Sequence, residues 1–227
     1  MRNWLRHQGF HFAAARGERA AGESQPPRSR REIPFAGGRP GQAKLAPITL
    51  LALATHTAGL PRLPANIGPN PDANPDPYAA YDRNLLVAAL RLHGPTAEGG
   101  KSAAYSNFGV AILGAALGAA WGTSYAEALQ EHVLTPLGMS ATSVGLTGTP
   151  APAGLAPGHA GDKRVPNWTF QAFAPAGALR SSARDLAIFL TACLHDRETP
   201  LRASLDAMIQ PQAAFPEMGG RIGLAGF

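Results

Sequence analysis

Tyr105, Ser106 and Asn107 stand between a Gly-rich polar run (Glu98, Gly99, Gly100, Lys101, Ser102) and a long apolar one, Phe108 to Trp121. A phenol can donate or accept a proton, and a carboxamide two residues away can fix a neighbour's orientation. At the mouth of a buried helix the two side chains can point into one cleft. The alternative for Asn107 is purely structural, as the N-cap of that helix. A site of this kind needs a nucleophile from elsewhere in the chain. Ser106 with His56 could be drawn as a dyad, but no sequence feature places them together, and Gly-x-Ser-x-Gly is absent. His56 falls at the end of a helical stretch, where it is expected to bond free carbonyls; a catalytic imidazole is the other reading. Cys193 is the single cysteine, so no intrachain disulfide forms. It sits between Leu190 and Leu194 and reads as a small core residue.

The elements that must position Tyr105 and Asn107 follow from capping and periodicity. Order begins near Pro47. Thr49 caps a helix with Leu50, Leu51, Leu53 and Ala54 as its apolar face, broken at Thr57 to Gly59. Residues 61–78 hold six prolines and three asparagines and read as a long loop, a wall or lid. A helix from about Asp82 or Asn84 to Leu92 turns Leu85, Leu86, Ala89 and Leu90 inward, and His93, Gly94 and Pro95 stop it. The helix from Phe108 to Trp121 is apolar on all sides and so belongs in the centre. Its Gly114 and Gly118 permit close packing, and Gly122 ends it. Ser124 and Glu127 form a capping box for a helix to about Leu134, before Pro136. Residues 143–176 are Gly/Pro-rich with short extended pieces. There Trp168, Phe170 and Phe173 are expected in the core, with a pocket lining as the alternative. Ser182 and Asp185 repeat the capping-box pattern ahead of a helix to about His195. A last helix carries Leu201, Leu205, Met208 and Ile209, and the Gly-rich end from Gly219 introduces a strand.

Composition bounds the class. The 227 residues are 45% hydrophobic and 15% charged, with 26 Gly and 21 Pro, which describes a loop-rich chain with a real core. Residues 1–44 hold eight Arg and one Lys against three Glu, a net +6. Residues 45–227 hold eleven basic and twelve acidic residues, a net −1, so the body offers no basic face for nucleic acid. Residues 1–44 read as an irregular basic segment, disordered or mis-framed. Their Arg2 and Arg6 are not followed by an apolar h-region, so no export signal is read. The longest apolar run is short of the ~20 residues that cross a bilayer.

Five blocks in order resemble the serine β-lactamase and penicillin-binding-protein family, closest to its class C-like branch of D-Ala-D-Ala carboxypeptidases and esterases. They are Ile48 to Pro61 (ITLLALATHTAGLP), Tyr105 to Gly114 (YSNFGVAILG), Gly122 to Tyr125, Pro136 to Met139, and Pro175 to Leu186 (PAGALRSSARDL). The resemblance covers roughly residues 46–227. It implies an α/β (α+β) β-lactamase/transpeptidase-like fold, with a helical lobe plus part of an antiparallel sheet, truncated at both ends. It implies bacterial enzymes, often periplasmic or secreted. It also implies a catalytic set of Ser-x-x-Lys, Tyr-x-Asn and a Lys/His-Thr-Gly-like strand, acting on a carbonyl through an acyl-enzyme. Tyr105 and Asn107 match the second motif. Tyr105 would act as general base or proton relay, and Asn107 would orient the lysine and the substrate amide.

The other two motifs do not appear in these residues. The three lysines, Lys44, Lys101 and Lys163, are preceded three residues back by Gly41, Glu98 and Ala160. No Lys-Thr-Gly occurs, and His159-Ala160-Gly161 precedes the Pro175 block, where the family's strand follows it. The expected function is therefore a β-lactamase-family serine hydrolase acting on a β-lactam, a D-Ala-D-Ala-type peptide or an ester. This chain, lacking the nucleophile, is expected to be inactive alone. The alternative is a non-catalytic pseudoenzyme or binding module that keeps a peptide or β-lactam cleft. Neither reading needs a cofactor or metal, and the expected partner is a small-molecule or peptide substrate.

Overall fold

Thr49 sets the first helix direction. In the computed structural model, residues 32–33, 48–68, 74–93, 103–196 and 198–224 are described. Most of the basic segment, the stretch 34–47, the loop portion 69–73, the Gly-rich run 94–102 and residues 225–227 lie outside them. Within the segment read as irregular, Glu32–Ile33 (β1) pairs antiparallel with Ile48–Thr49 (β2). The Thr49 hydroxyl then accepts the Ala52 N–H at 3.0 Å and starts α1, Leu50–Ala54. Its Leu53 and Ala54 are buried, while Leu51, expected inward, is 36% exposed. A helix this short buries one narrow stripe, and Leu51 falls beside it.

Asp82 opens α2, Arg83–His93, by accepting the Leu85 N–H at 2.9 Å. Leu86 and Ala89 face the core; Leu85, one position off that stripe, is exposed. The central helix, α3, runs Asn107–Trp121 and ends at Gly122, whose φ of 72° is the left-handed cap that glycine adopts without strain. It is buried from Phe108 through Gly114, as an all-apolar helix must be. An alanine Cβ at Gly114 would lie 2.1 Å from Cγ of Pro175 in α6, Ala174–Gly177. The small residue therefore sets how closely these two helices approach.

Ser124 and Glu127 form the capping box of α4, Tyr125–Leu129. The rod does not stop before Pro136. A π turn over Gln130–Leu134, helical in its backbone to the end, leads straight into α5, Thr135–Leu137, which holds Pro136. The rod is bent 76° from α3. No single helix among the described residues is long and apolar enough to cross a membrane.

Ser143–Val144 (β3) pairs antiparallel with Leu179–Arg180 (β6), which follows α6. Gly158–Ala160 (β4) and Lys163–Val165 (β5) make an exposed hairpin between them. Phe170 and Phe173 are buried as expected, each with its ring centroid 5.2 Å from that of Tyr78, Phe170 stacked and Phe173 tilted, while Trp168 meets Tyr78 edge-on and stays 46% exposed. Asp76 ties this aromatic group down by accepting both the N–H and the hydroxyl of Thr169, at 2.9 and 2.7 Å.

Ser182 caps α7, Ala183–Cys193, through the Asp185 N–H at 3.1 Å. The expected return bond of the capping box is replaced. The Asp185 carboxylate, 2% exposed, takes the Ala141 N–H at 2.9 Å and the Thr142 hydroxyl at 2.7 Å. Asp185→Ala strands both donors, and its expected cost is about 3 kcal/mol in urea unfolding, with Asp185→Asn losing less. α8, Arg202–Ile209, packs on α7 with Leu205 and Met208 buried and Ile209 exposed. Ala213–Phe215 (β7) and Gly220–Ile222 (β8) close the described chain as an antiparallel hairpin, so the Gly-rich end does enter a strand.

Two apolar clusters result. One joins α1, α2, α3 and α6 with Phe170 and Phe173; the other joins the α4–α5 rod with α7 and α8, and Tyr125 and Val144 touch both. A third, small cluster packs Ala103, Phe215 and Ile222, with Tyr105 against it.

Candidate active site

The start of α3 holds the residues of the sequence motif. Ser106, and not Asn107, is the N-cap: its backbone is extended (φ −138°, ψ 106°) and its Oγ accepts the Gly109 N–H at 2.9 Å. A serine hydroxyl is short enough to reach back to the first turn. Asn107 is the first helical residue, and its amide is left to make side-chain contacts. Its Oδ1 accepts a short hydrogen bond from the Tyr105 hydroxyl. Phenol and carboxamide are thus fixed by each other, both half-buried, at the positive end of a buried helix.

His56 does not cap α1. Thr55 does that, its N–H and hydroxyl both reaching the Leu51 carbonyl at 2.9 and 2.8 Å. His56 instead adopts a φ of 56°, which swings its ring away from the helix end and into the protein, 3% exposed. There Nδ1 accepts the Ser106 N–H at 3.2 Å, and the His56 carbonyl accepts the Ala104 N–H at 2.9 Å. The ring lies 4.9 Å from the Tyr105 ring and stacks with Phe215 at 6.1 Å. Burial holds its pKa down, from the ordinary 6.5 to about 4, because a charged imidazole would lose its hydration there. His56 is therefore neutral at pH 7, as an acceptor nitrogen requires.

The fold brings His56 and Ser106 together, but not as a dyad. The imidazole meets the main-chain N–H of Ser106, while the Ser106 hydroxyl donates to the Pro61 carbonyl at 2.6 Å and accepts from Gly109. Both roles of that hydroxyl are structural. Cys193 is half-buried, and burial pushes its thiol up, away from the nucleophilic thiolate. His159 sits on the exposed β4–β5 hairpin, its Nδ1 3.2 Å from the Pro157 carbonyl. Among the described residues, no three His, Cys, Asp or Glu side chains gather to hold a metal ion.

Two neighbours of Tyr105 carry no signal in the sequence. Arg62 places its guanidinium over the Tyr105 ring, 5.3 Å from the centroid, and Phe215 brings the β7–β8 hairpin against it. Both come from segments far away in sequence, and no local spacing marks either one. Ser106 did carry a signal, as a capping residue before an apolar run. The asparagine beside it, equally a capping type, obscured that signal.

The Beta-lactamase family model matches residues 32–225, and the chain belongs to that family of hydrolases. Over 106 residues it is 37% identical to the D-alanyl-D-alanine-carboxypeptidase/endopeptidase AmpH of Escherichia coli (strain K12), a match covering 47% of this chain and 26% of that protein. Among solved structures it resembles a Beta-Lactamase/D-Alanine Carboxypeptidase from Pseudomonas syringae, with TM-score 0.67 and 21% identity, over 96% of this chain and 56% of the other. A class C β-lactamase aligns with TM-score 0.63 at 20% identity, over 78% of this chain and 46% of the other. A D-stereospecific amidohydrolase from Streptomyces sp. aligns with TM-score 0.58 at 26% identity, over 78% of this chain and 56% of the other. These likenesses bear out the β-lactamase/transpeptidase-like fold. The chain spans about a quarter to a half of the length of these relatives.

Proposed function

We propose that this chain supplies the Tyr-x-Asn wall of an acyl-transfer site, with Tyr105 as proton relay and Asn107 orienting the reacting groups. The substrate class is a β-lactam, a D-Ala-D-Ala-type peptide or an ester. The observation that carries the proposal is the hydrogen bond from the Tyr105 hydroxyl to Asn107 Oδ1, at the head of the buried α3. It presents a proton-carrying oxygen and an amide together, both half-exposed, where a carbonyl compound can approach them. The names of the relatives, carboxypeptidase, β-lactamase and amidohydrolase, all describe acyl transfer.

These 227 residues contain no Ser-x-x-Lys, and the proposal extends to their behaviour alone. The purified chain is expected to show no turnover of a chromogenic cephalosporin above buffer, followed by absorbance. Turnover that Tyr105→Phe abolishes would show that a nucleophile is present within these residues. Mass spectrometry after exposure to a penicillin separates the remaining reading. Saturable binding without added mass fits a non-catalytic cleft, and added mass counts against one.

A further inference from the structure

The start of α3 is zipped to the loop that leaves α1. The Ala104 N–H donates to the His56 carbonyl at 2.9 Å, and the Phe108 N–H to the Arg62 carbonyl at 3.2 Å. Between them the Ser106 N–H donates to His56 Nδ1 at 3.2 Å, and the Ser106 hydroxyl to the Pro61 carbonyl at 2.6 Å. Ala104, Ser106 and Phe108 thus spend their main-chain donors on this loop, while Tyr105 and Asn107, alternating with them, carry the side chains of the site. The carbonyl acceptors belong to the main chain and survive any side-chain substitution. Nδ1 of His56 is an acceptor that a side chain supplies, and it serves the residue standing between Tyr105 and Asn107. An imidazole nitrogen of a neutral ring accepts only when the proton sits on the other nitrogen, so this bond requires the Nε2–H tautomer. The same buried ring lies 4.9 Å from the ring of Tyr105.

We propose that His56 is a positioning residue of this site: its Nδ1 holds the Ser106 N–H, and through that main chain it keeps the Tyr105 hydroxyl within reach of Asn107 Oδ1. This rests on the reading of Tyr105 and Asn107 as the site wall. His56 touches no reacting atom and moves no proton; it acts through Ser106. Its ring also fills space beside Phe215, and the two roles make opposite demands on a replacement. The acceptor role is met by asparagine, whose Oδ1 stands near the place of Nδ1 and which tolerates a φ of 56°. The packing role is met by phenylalanine, which keeps a ring and offers no acceptor.

The test is by NMR on the whole chain at pH 7. The imidazole nitrogen signals of His56, assigned by their loss in His56→Asn, are expected to be those of the Nε2–H tautomer. A proton on Nδ1 overturns the proposal in the unaltered chain. With tyrosine labelled at Cζ, which reports hydrogen bonding of its own oxygen, the Tyr105 signal is assigned by its loss in Tyr105→Phe. His56→Asn should leave that signal in place, and His56→Phe should displace it. The reverse order, or a signal unmoved in both variants, makes His56 a packing residue only. If His56→Phe does not fold, the tautomer and the His56→Asn spectrum decide, and a displaced Tyr105 signal in His56→Asn overturns the role. Adding benzylpenicillin tests the wall separately. It should shift the Tyr105 signal of the unaltered chain, and no shift counts against the wall, while the tautomer and the variant spectra still decide the role of His56.

Discussion

Gly114→Ala is expected to destabilise the folded chain by about 3 kcal/mol or more, the upper range of overpacking in a rigid interior. The added Cβ would lie 2.1 Å from Cγ and 2.4 Å from Cβ of Pro175, and 3.3 Å from Cδ2 of Tyr125. A proline ring is closed onto its own main chain and cannot swing aside, so α3 and α6 must separate. That separation would open the main apolar cluster between α3, α6 and Phe173. Helix propensity pulls the other way by only about 1 kcal/mol. Gly109→Ala, the same substitution in the same helix, is the control. Its Cβ meets nothing closer than 3.4 Å, so its effect should stay within about 1 kcal/mol. Thermal melts of the two variants should differ by about 5–10 °C, from roughly 2–4 °C per kcal/mol in a chain of this size. Equal melts would mean that α6 does not sit against Gly114.

Acidification from pH 6.5 to pH 4 is expected to cost about 3 kcal/mol through His56 alone. The buried imidazole titrates at about 4, against 6.5 when unfolded. Between those values the unfolded chain binds a proton that the folded chain refuses. Stability from this residue is thus complete above pH 6.5, falls as pH drops toward 4, and falls no further below it. Protonation also removes the Nδ1 acceptor of the Ser106 N–H, so the Tyr105 to Asn107 segment should loosen first. Glu127, its carboxylate held at about 2 by the hydroxyl of Thr123 and the N–H of Ser124, begins to add its own loss only at the acid end of this window, from about 4.5 downward. Urea melts at pH 7, 6, 5 and 4 measure the slope. His56→Asn keeps an acceptor and tolerates the left-handed backbone, so it should flatten the slope while lowering stability at pH 7. A slope unchanged in that variant would remove His56 as its source.

Local chemistry was legible wherever neighbours in sequence settle it. Thr49, Ser124 and Ser182 cap their helices because a hydroxyl reaches N–H groups two or three residues on. Gly122 ends α3 because a left-handed residue is needed there. The all-apolar run after Asn107 could only be central, and five ordered blocks sufficed to name the family. Pairing Gly114 with Gly118 as a packing device was also visible. What each glycine packs against was not: Gly114 meets Pro175, while Gly118 meets the turn from Thr123 to Tyr125 that follows its own helix.

The sequence alone marked most of the helices, named the family and offered Tyr105 and Asn107 as candidates for chemistry. Tertiary structure alone decided what surrounds them. His56 became a buried neutral acceptor because a positive φ turns its ring inward, and Thr55 took the capping role expected of it. Ser106 displaced Asn107 as the cap, which left the asparagine side chain for the tyrosine. Arg62 and Phe215 reached Tyr105 through main-chain bonds and a distant hairpin. Caps and periodicity act over a few residues and are written in local spacing. Burial, aromatic contact and the proximity of a charge depend on which segments the fold brings together, and no local spacing encodes them.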